Sequence, residues 1–296
     1  MADSLRETSV PSSERTDEIE EFDAIVIGSG VTGLYSLYRM RQLGFSVRAF
    51  DDAGGVGGTW YWNRYPGCRF DSESYSYGYS FSEELLQEWD WKEHYSSQPE
   101  TERYLNYVAD KFDLRRDIQF NSRVMSATFV EEDSCWGIVL KDGSKARGQY
   151  LITSVGSFSA GYVPDFEGIG SFKGITSHTR GWPAEGIDLA GKRVGVIGTG
   201  ASGVPLITEI AKEAGNLTVF QRTPNYSIPA HNAALEPEYV AGIKTRYAAF
   251  RARNAQLPFG ASFGPGEESA LEVGTNVLRR EYDEKWERGG LGFITA

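Results

Sequence analysis

The chain has 296 residues, a formal charge of −11, 40% hydrophobic and 24% charged side chains. These values describe a soluble globular protein with room for two ordinary domains, and no apolar run approaches the roughly 20 residues of a membrane span. The acidic balance argues against a nucleic-acid partner. Two cysteines (Cys68, Cys135) and three scattered histidines (His94, His178, His231) make neither a disulfide framework nor a metal-ligand spacing, which fits the cytoplasm.

Residues 1–21 are rich in Ser, Glu, Asp and Arg without an apolar stretch, so a disordered leader is expected rather than a signal peptide. Phe22 to Ile27 is a continuous apolar run leading into Gly28-Ser29-Gly30-Val31-Thr32-Gly33. Apolar residues then recur at Leu34, Leu37, Tyr38 and Leu43 with helical spacing. This predicts strand, turn and helix. Gly28 permits the tight turn, Gly30 admits a pyrophosphate, Gly33 lets helix and strand pack closely, and the helix N-terminus attracts the anion. Gly44 ends the helix, and the strand Ser46 to Phe50 delivers Asp51, about 20 residues on, where an acid accepts hydrogen bonds from a ribose diol.

Gly54-Gly55-Val56-Gly57-Gly58 cannot form a stable helix or strand, so a loop is expected to approach a ligand closely. The aromatic run Trp60-Tyr61-Trp62 behind it would wall a planar ring, with Asp71 just beyond; a surface turn capped by core aromatics is the alternative. Arg103 to Phe112 reads as a helix. Ile118 to Leu151 alternates as an antiparallel insertion with a hairpin turn at Lys141-Asp142-Gly143-Ser144, and Tyr150 to Gly156 reads as a buried returning strand. Pro164 to Gly170 is expected to cross over.

After the dodecapeptide Phe172 to Pro183, the run Lys192 to Ile197 leads into a second turn, Gly198-Thr199-Gly200-Ala201-Ser202-Gly203, and Leu206, Ile207 and Ile210 mark a helix face. Pro205 falls in its first turn, where a missing amide costs little. The strand Leu217 to Phe220 ends in Gln221-Arg222-Thr223. No carboxylate stands where a ribose 2′-hydroxyl would be held, and Arg222 suits a 2′-phosphate, favouring NADP(H) over NAD(H).

Gly-Gly-Thr-Trp-Tyr-Trp-Asn-Arg-Tyr-Pro-Gly, from Gly57 to Gly67, with Arg69, Asp71, Glu73 and Ser74 beyond it, resembles the flavin-domain segment of type I Baeyer-Villiger monooxygenases. That family's fingerprint, Phe-x-Gly-x3-His-x3-Trp-Pro, is met by Phe172, Gly174, His178, Trp182 and Pro183.

The resemblance spans residues 22–296 and implies an α/β fold with two Rossmann-like dinucleotide-binding domains: FAD at 22–158, NADP at 159–229, and a helical insertion at 230–296. It places FAD at Gly28, Ser29, Gly30, Gly33, Asp51, Gly58, Thr59, Trp60, Tyr61, Asp71, Tyr77 and Val124. It places NADP(H) at Arg69, Asp71, Gly198, Thr199, Gly200, Ser202, Gly203, Arg222 and Thr223. His178 and Trp182 would link the two cofactor domains rather than move protons, and Phe172 and Pro183 would pack.

The implied reaction is NADPH-driven, flavin-dependent insertion of one oxygen of O2 beside a ketone carbonyl, giving an ester or lactone. In the family an arginine that favours the anionic oxidant is positioned by the carboxylate matching Asp71; it lies beyond the insertion and is not in these 296 residues. A truncated sequence, unstable or weak in FAD binding by itself, is therefore expected. Two other readings stay open: a monooxygenase of nitrogen or sulfur, which needs no arginine, and a nucleotide-binding remnant.

Overall fold

The structure is a computed structural model that describes residues 19–158, 161–264 and 269–293. The expected leader lies outside them up to residue 18. The chain forms two compact units, one from residues up to 55 plus 113–155, the other from 56–112 plus 156 onward.

In the first unit, strand β1 (Glu20–Ile27) runs through the turn into helix α1 (Val31–Gln42) and returns as β2 (Val47–Phe50). Ala24, Ile25 and Val26 of β1 and Leu34 and Leu37 of α1 are wholly buried, which is the packing the apolar spacing requires. Gly44, at φ +84, turns the chain out of the helix.

In the second unit, single helical turns α2 (Thr59–Trp62) and α3 (Ser74–Tyr77) precede α4 (Glu83–Glu88) and α5 (Gln98–Lys111). Helix α5 begins five residues before the expected Arg103. Pro99 sits in its first turn without loss of a hydrogen bond, and buried Glu100 accepts from the Lys92 amide and the Ser96 hydroxyl.

The first unit then resumes with β3 (Ile118–Gln119), β4 (Val124–Val130), β5 (Cys135–Leu140) and β6 (Lys145–Thr153). The sheet order is β3-β2-β1-β6-β5-β4. β1 is parallel to β2 and β6, and β2 is parallel to β3, whereas β5 is antiparallel to both β4 and β6. The hairpin strand and the returning strand, expected as separate elements, are thus one strand: β6 leaves the hairpin beside β5 and continues beside β1. Its last residues are not buried as expected, since Tyr150 is about half exposed. Ile25, Phe50, Ile138, Leu140 and Ala146 form a core spanning both the parallel and antiparallel parts.

The second unit continues with β7 (Arg193–Ile197), α6 (Gly203–Ile210) and β8 (Asn216–Phe220), a parallel βαβ arrangement registered from Arg193↔Asn216 to Ile197↔Phe220. Helices α7 (Pro237–Thr245), α8 (Tyr247–Asn254) and α9 (Thr275–Arg288) follow.

The compact units cut across the expected chain-order boundaries, because residues 56–112 join the later half. Arg251 donates to the carbonyls of Ser76 (3.0 Å) and Gly78 (2.7 Å), Asn254 to the Ser76 hydroxyl (3.1 Å), and Glu93 pairs with Ala234 in an antiparallel bridge. Satisfying these main-chain groups ties the helical stretch to residues 74–95.

Candidate nucleotide-binding sites

At the first turn, register Ile27↔Phe50 and Ile27↔Thr153 brings three parallel strand ends to one edge of the sheet. Ligands of open α/β sheets bind beyond such carboxyl ends. The Gly28 amide donates to Phe50 O (2.9 Å) and the Ser154 amide to Ile27 O (2.8 Å), fixing the turn over the edge. At Gly28, φ is +99 and a Cβ would stand 2.6 Å from Ser154 O; at Gly33 a Cβ would overlap Gly28 O. Both positions therefore require glycine for sterics. Gly30 caps α1 without a side-chain hydrogen bond and no acid lies in the first turn of the helix, which suits an anion at its N-terminus.

Asp51 is buried, and its carboxylate accepts from the Ser29 amide (2.5 Å), the Ser29 hydroxyl (2.6 Å) and the Ala53 amide (2.8 Å). The acid thus stands directly beside the turn, with acceptor lone pairs for a ribose hydroxyl. Val124 begins β4 and packs its side chain on the Ile25–Phe50 core, leaving only its main chain for a ligand.

The second turn repeats this geometry. The Gly198 amide donates to Phe220 O (2.9 Å), φ of Gly198 is +103, and a Cβ on Gly203 would overlap Gly198 O. Around Gly198 and Gly200 a Cβ would meet nothing within 4 Å, an open approach to the backbone. Ser202 caps α6 without a side-chain bond to the helix, and no acid lies in its first turn. Thr199 accepts from Gln221 at its hydroxyl (2.7 Å) and from Asn225 at its carbonyl (3.0 Å), so the turn is braced by the strand end carrying Arg222. Arg222 and Thr223 are exposed, and Arg222 makes no ion pair among the described residues. These glycine approaches, uncapped amides and contrasting strand ends fit two dinucleotides.

The remaining predicted residues lie in the second unit with the NADP turn. Trp60 does not wall an open ring site as expected: its indole is buried, meets Phe70 and Tyr77 edge to face, and donates to the Tyr77 hydroxyl (2.9 Å). Tyr77 in turn stacks on Phe70 at 4.2 Å. An indole gains more from burial with a satisfied N–H than from exposure at a loop, so both side chains are core. Gly58, at φ +54, and Thr59 begin the helical turn, and Tyr61 lies under Arg64 at 4.5 Å.

Arg69 is not free for a phosphate as drawn: it pairs with Glu93 (3.1 Å) and donates to Tyr95 O (3.1 Å). Asp71 presents surface to solvent, yet protein crowding around its carboxyl raises its pKa. It lines a small cavity of about 30 Å³ with Glu73, Tyr95, Ser262 and Arg288. Glu73 is also raised by desolvation, which outweighs the pull of His94, Ser262, Arg288 and Arg253.

In the fingerprint, His178 accepts the Arg180 amide at Nδ1 (3.2 Å) and caps a single turn of 3-10 helix, Thr179–Gly181. His178 and Pro183 line an open groove of about 620 Å³ with Asp188 and Lys192. Trp182 is partly buried. Phe172 departs from the packing role: it is 62% exposed, with its ring folded over Gly174, where a Cβ would lie 2.6 Å from the ring.

Sequence reasoning missed a close approach between the Tyr-Pro-Gly end of the aromatic loop and the second turn. Tyr65 and Cys68 are buried there, and burial pushes the Tyr65 phenol up to about 12 and the Cys68 thiol to about 11. Gly67, at φ +79, places its backbone where a Cβ would stand 2.6 Å from Pro205 O in the first turn of α6. The glycine after Tyr-Pro was the available signal.

Residues 23–252 match the model of the FMO-like family, described as flavin-binding monooxygenase-like. The chain is 51% identical over 225 residues to the acetone monooxygenase (methyl acetate-forming) of Gordonia sp. (strain TY-5), covering 76% of this chain and 42% of that relative. It is 42% identical over 277 residues to a phenazine N-monooxygenase of Lysobacter antibioticus, covering 92% and 51%. A solved structure described as oxidized steroid monooxygenase bound to NADP superposes with a TM-score of 0.90 at 47% identity, over 93% of this chain and 53% of that one. The chain spans about half the length of the curated relatives it matches. Its α/β architecture with Rossmann-like strands is theirs, and the chain belongs to the flavin-binding monooxygenase-like family.

Proposed function

We propose that this protein is a monooxygenase that binds FAD at the Gly28–Gly33 turn and NADP(H) at the Gly198–Gly203 turn, and inserts one oxygen of O2 beside a ketone carbonyl to give an ester or lactone. The observation that carries this is the opposite ending of two matched strand–turn–helix units. A buried carboxylate acceptor, Asp51, stands at the first, and an exposed guanidinium without an ion partner among the described residues, Arg222, stands at the second. Identity with an acetone-oxidising relative supports the ketone.

When bound, the flavin would activate O2 with electrons supplied by the nicotinamide. The chain's own residues bind and orient. The N-terminal amides of α1 and α6 hold pyrophosphates, Asp51 accepts from a ribose hydroxyl, and Arg222 pairs with a 2′-phosphate. Asp71, whose carboxyl pKa is raised by crowding, would orient a cation, since an opposite charge beside it favours the ionised form.

No helix among the described residues is long and apolar enough to cross a membrane. Cys68 and Cys135 are free, which supports a cytoplasmic setting.

The test is product analysis with NADPH and O2 on a cyclic ketone, an alkyl sulfide and an aromatic N-heterocycle. Ester or lactone is expected; sulfoxide or N-oxide without any lactone would sink ketone oxidation and favour chemistry like that named for the phenazine relative. Binding of NADP(H) without oxygen uptake would leave a nucleotide-binding module.

A further inference from the structure

The x3 stretch between His178 and Trp182 carries Arg180, which neither motif requires. The His178 cap and the Gly181 amide bond to His178 O (2.9 Å) set its direction. Its side-chain stem passes Gly161, where a Cβ would lie 2.9 Å from Arg180 Cδ. Its guanidinium rests 4.9 Å from the centre of the Trp62 ring, the last residue of α2. Nε of Arg180 is buried without a hydrogen-bond partner, and no carboxylate pairs with it among the described residues. The aromatic face is therefore the main site holding this cation. Five residues beyond Trp62, Gly67 abuts the first turn of α6 at Pro205 O.

We propose that Arg180 is a positioning residue: through its cation–π contact with Trp62 it fastens the His178 turn to the aromatic loop, whose far end, Gly67, abuts Pro205 at the NADP-binding N-terminus of α6. The fingerprint histidine then acts on nucleotide binding through a main-chain cap, not through proton transfer. The proposal rests on assigning NADP(H) to the second turn.

The test titrates NADP+ into the wild type, Arg180→Ala, Arg180→Lys, Trp62→Leu, Trp62→Phe and the Arg180→Ala/Trp62→Leu double variant. It also follows chymotryptic cleavage at the exposed Tyr162 and Phe172 without nucleotide. Losing a partly desolvated cation–π contact should weaken NADP+ by about three- to tenfold in either single variant, with no further loss in the double. Arg180→Lys and Trp62→Phe keep a cation and a ring and should retain most of the affinity, which separates the contact from general misfolding. Cleavage should quicken equally in Arg180→Ala and Trp62→Leu. Affinity within twofold of wild type, or losses that multiply in the double variant, would overturn the clamp. If the wild type binds no NADP+, the nucleotide assignment fails, and the clamp stands or falls on cleavage alone: unchanged rates in both single variants overturn it.

Discussion

Replacing Arg222 by Gln removes one charge at the end of β8 and little else, because the side chain is exposed and has no ion partner within the described chain to leave unpaired. The fold should therefore be unaffected, with stability inside the about ±0.5 kcal/mol typical of surface changes. The loss should fall on the 2′-phosphate. Two unit charges at about 4 Å attract by roughly 1 kcal/mol in water and roughly 4 kcal/mol at the effective dielectric near a protein surface. Charge-assisted hydrogen bonds contribute about 1.5–3 kcal/mol net. The lower part of that range applies to an exposed guanidinium, so NADP+ affinity should fall by about 10- to 100-fold. NAD+ has no 2′-phosphate, and its affinity should change by less than about twofold. Calorimetric titration of both nucleotides at two ionic strengths measures this; the wild-type preference for NADP+ should shrink with added salt and be nearly absent in the variant. Equal losses for NAD+ and NADP+, or none for either, would refute a 2′-phosphate contact at Arg222.

Asp51→Asn should destabilise the protein by about 1–3 kcal/mol in urea denaturation, since one amide oxygen cannot serve the Ser29 and Ala53 donors together and a buried donor is left unpaired; an unchanged midpoint would show the carboxylate network to be dispensable. Glu73→Gln tests the desolvated carboxyl. An acid whose pKa is raised on folding binds more protons in the native state, so its unfavourable contribution is absent below the unfolded value of 4.5 and grows as pH rises through the folded value. The variant should therefore melt higher than wild type near pH 7, with the difference vanishing below about pH 4. A constant difference across that range would assign the effect to packing.

The βαβ units around Gly28 and Gly198 were legible because the signals are local: apolar runs set strands and helix faces, and glycine is forced wherever a Cβ would strike the neighbouring backbone. Asp51 and Arg222 followed from counting to the strand end. Trp60 was misread because sequence shows an aromatic run without showing which rings find partners; Phe70 and Tyr77 took its indole into the core. β6 looked like two elements because a strand that exchanges an antiparallel neighbour for a parallel one has no marker in its own residues.

By itself, then, the sequence determined two glycine turns, the charge at the end of each following strand and the family motifs, all properties of short contiguous segments. Only the tertiary structure decided that residues 56–112 belong with the later half of the chain, that Arg69 is spent on Glu93, and that Arg180 lies on Trp62. The physical reason is range. These outcomes join groups between 24 and 175 residues apart, as in Arg69–Glu93 and Arg251–Ser76, and depend on which buried polar group or ring is satisfied first in three dimensions.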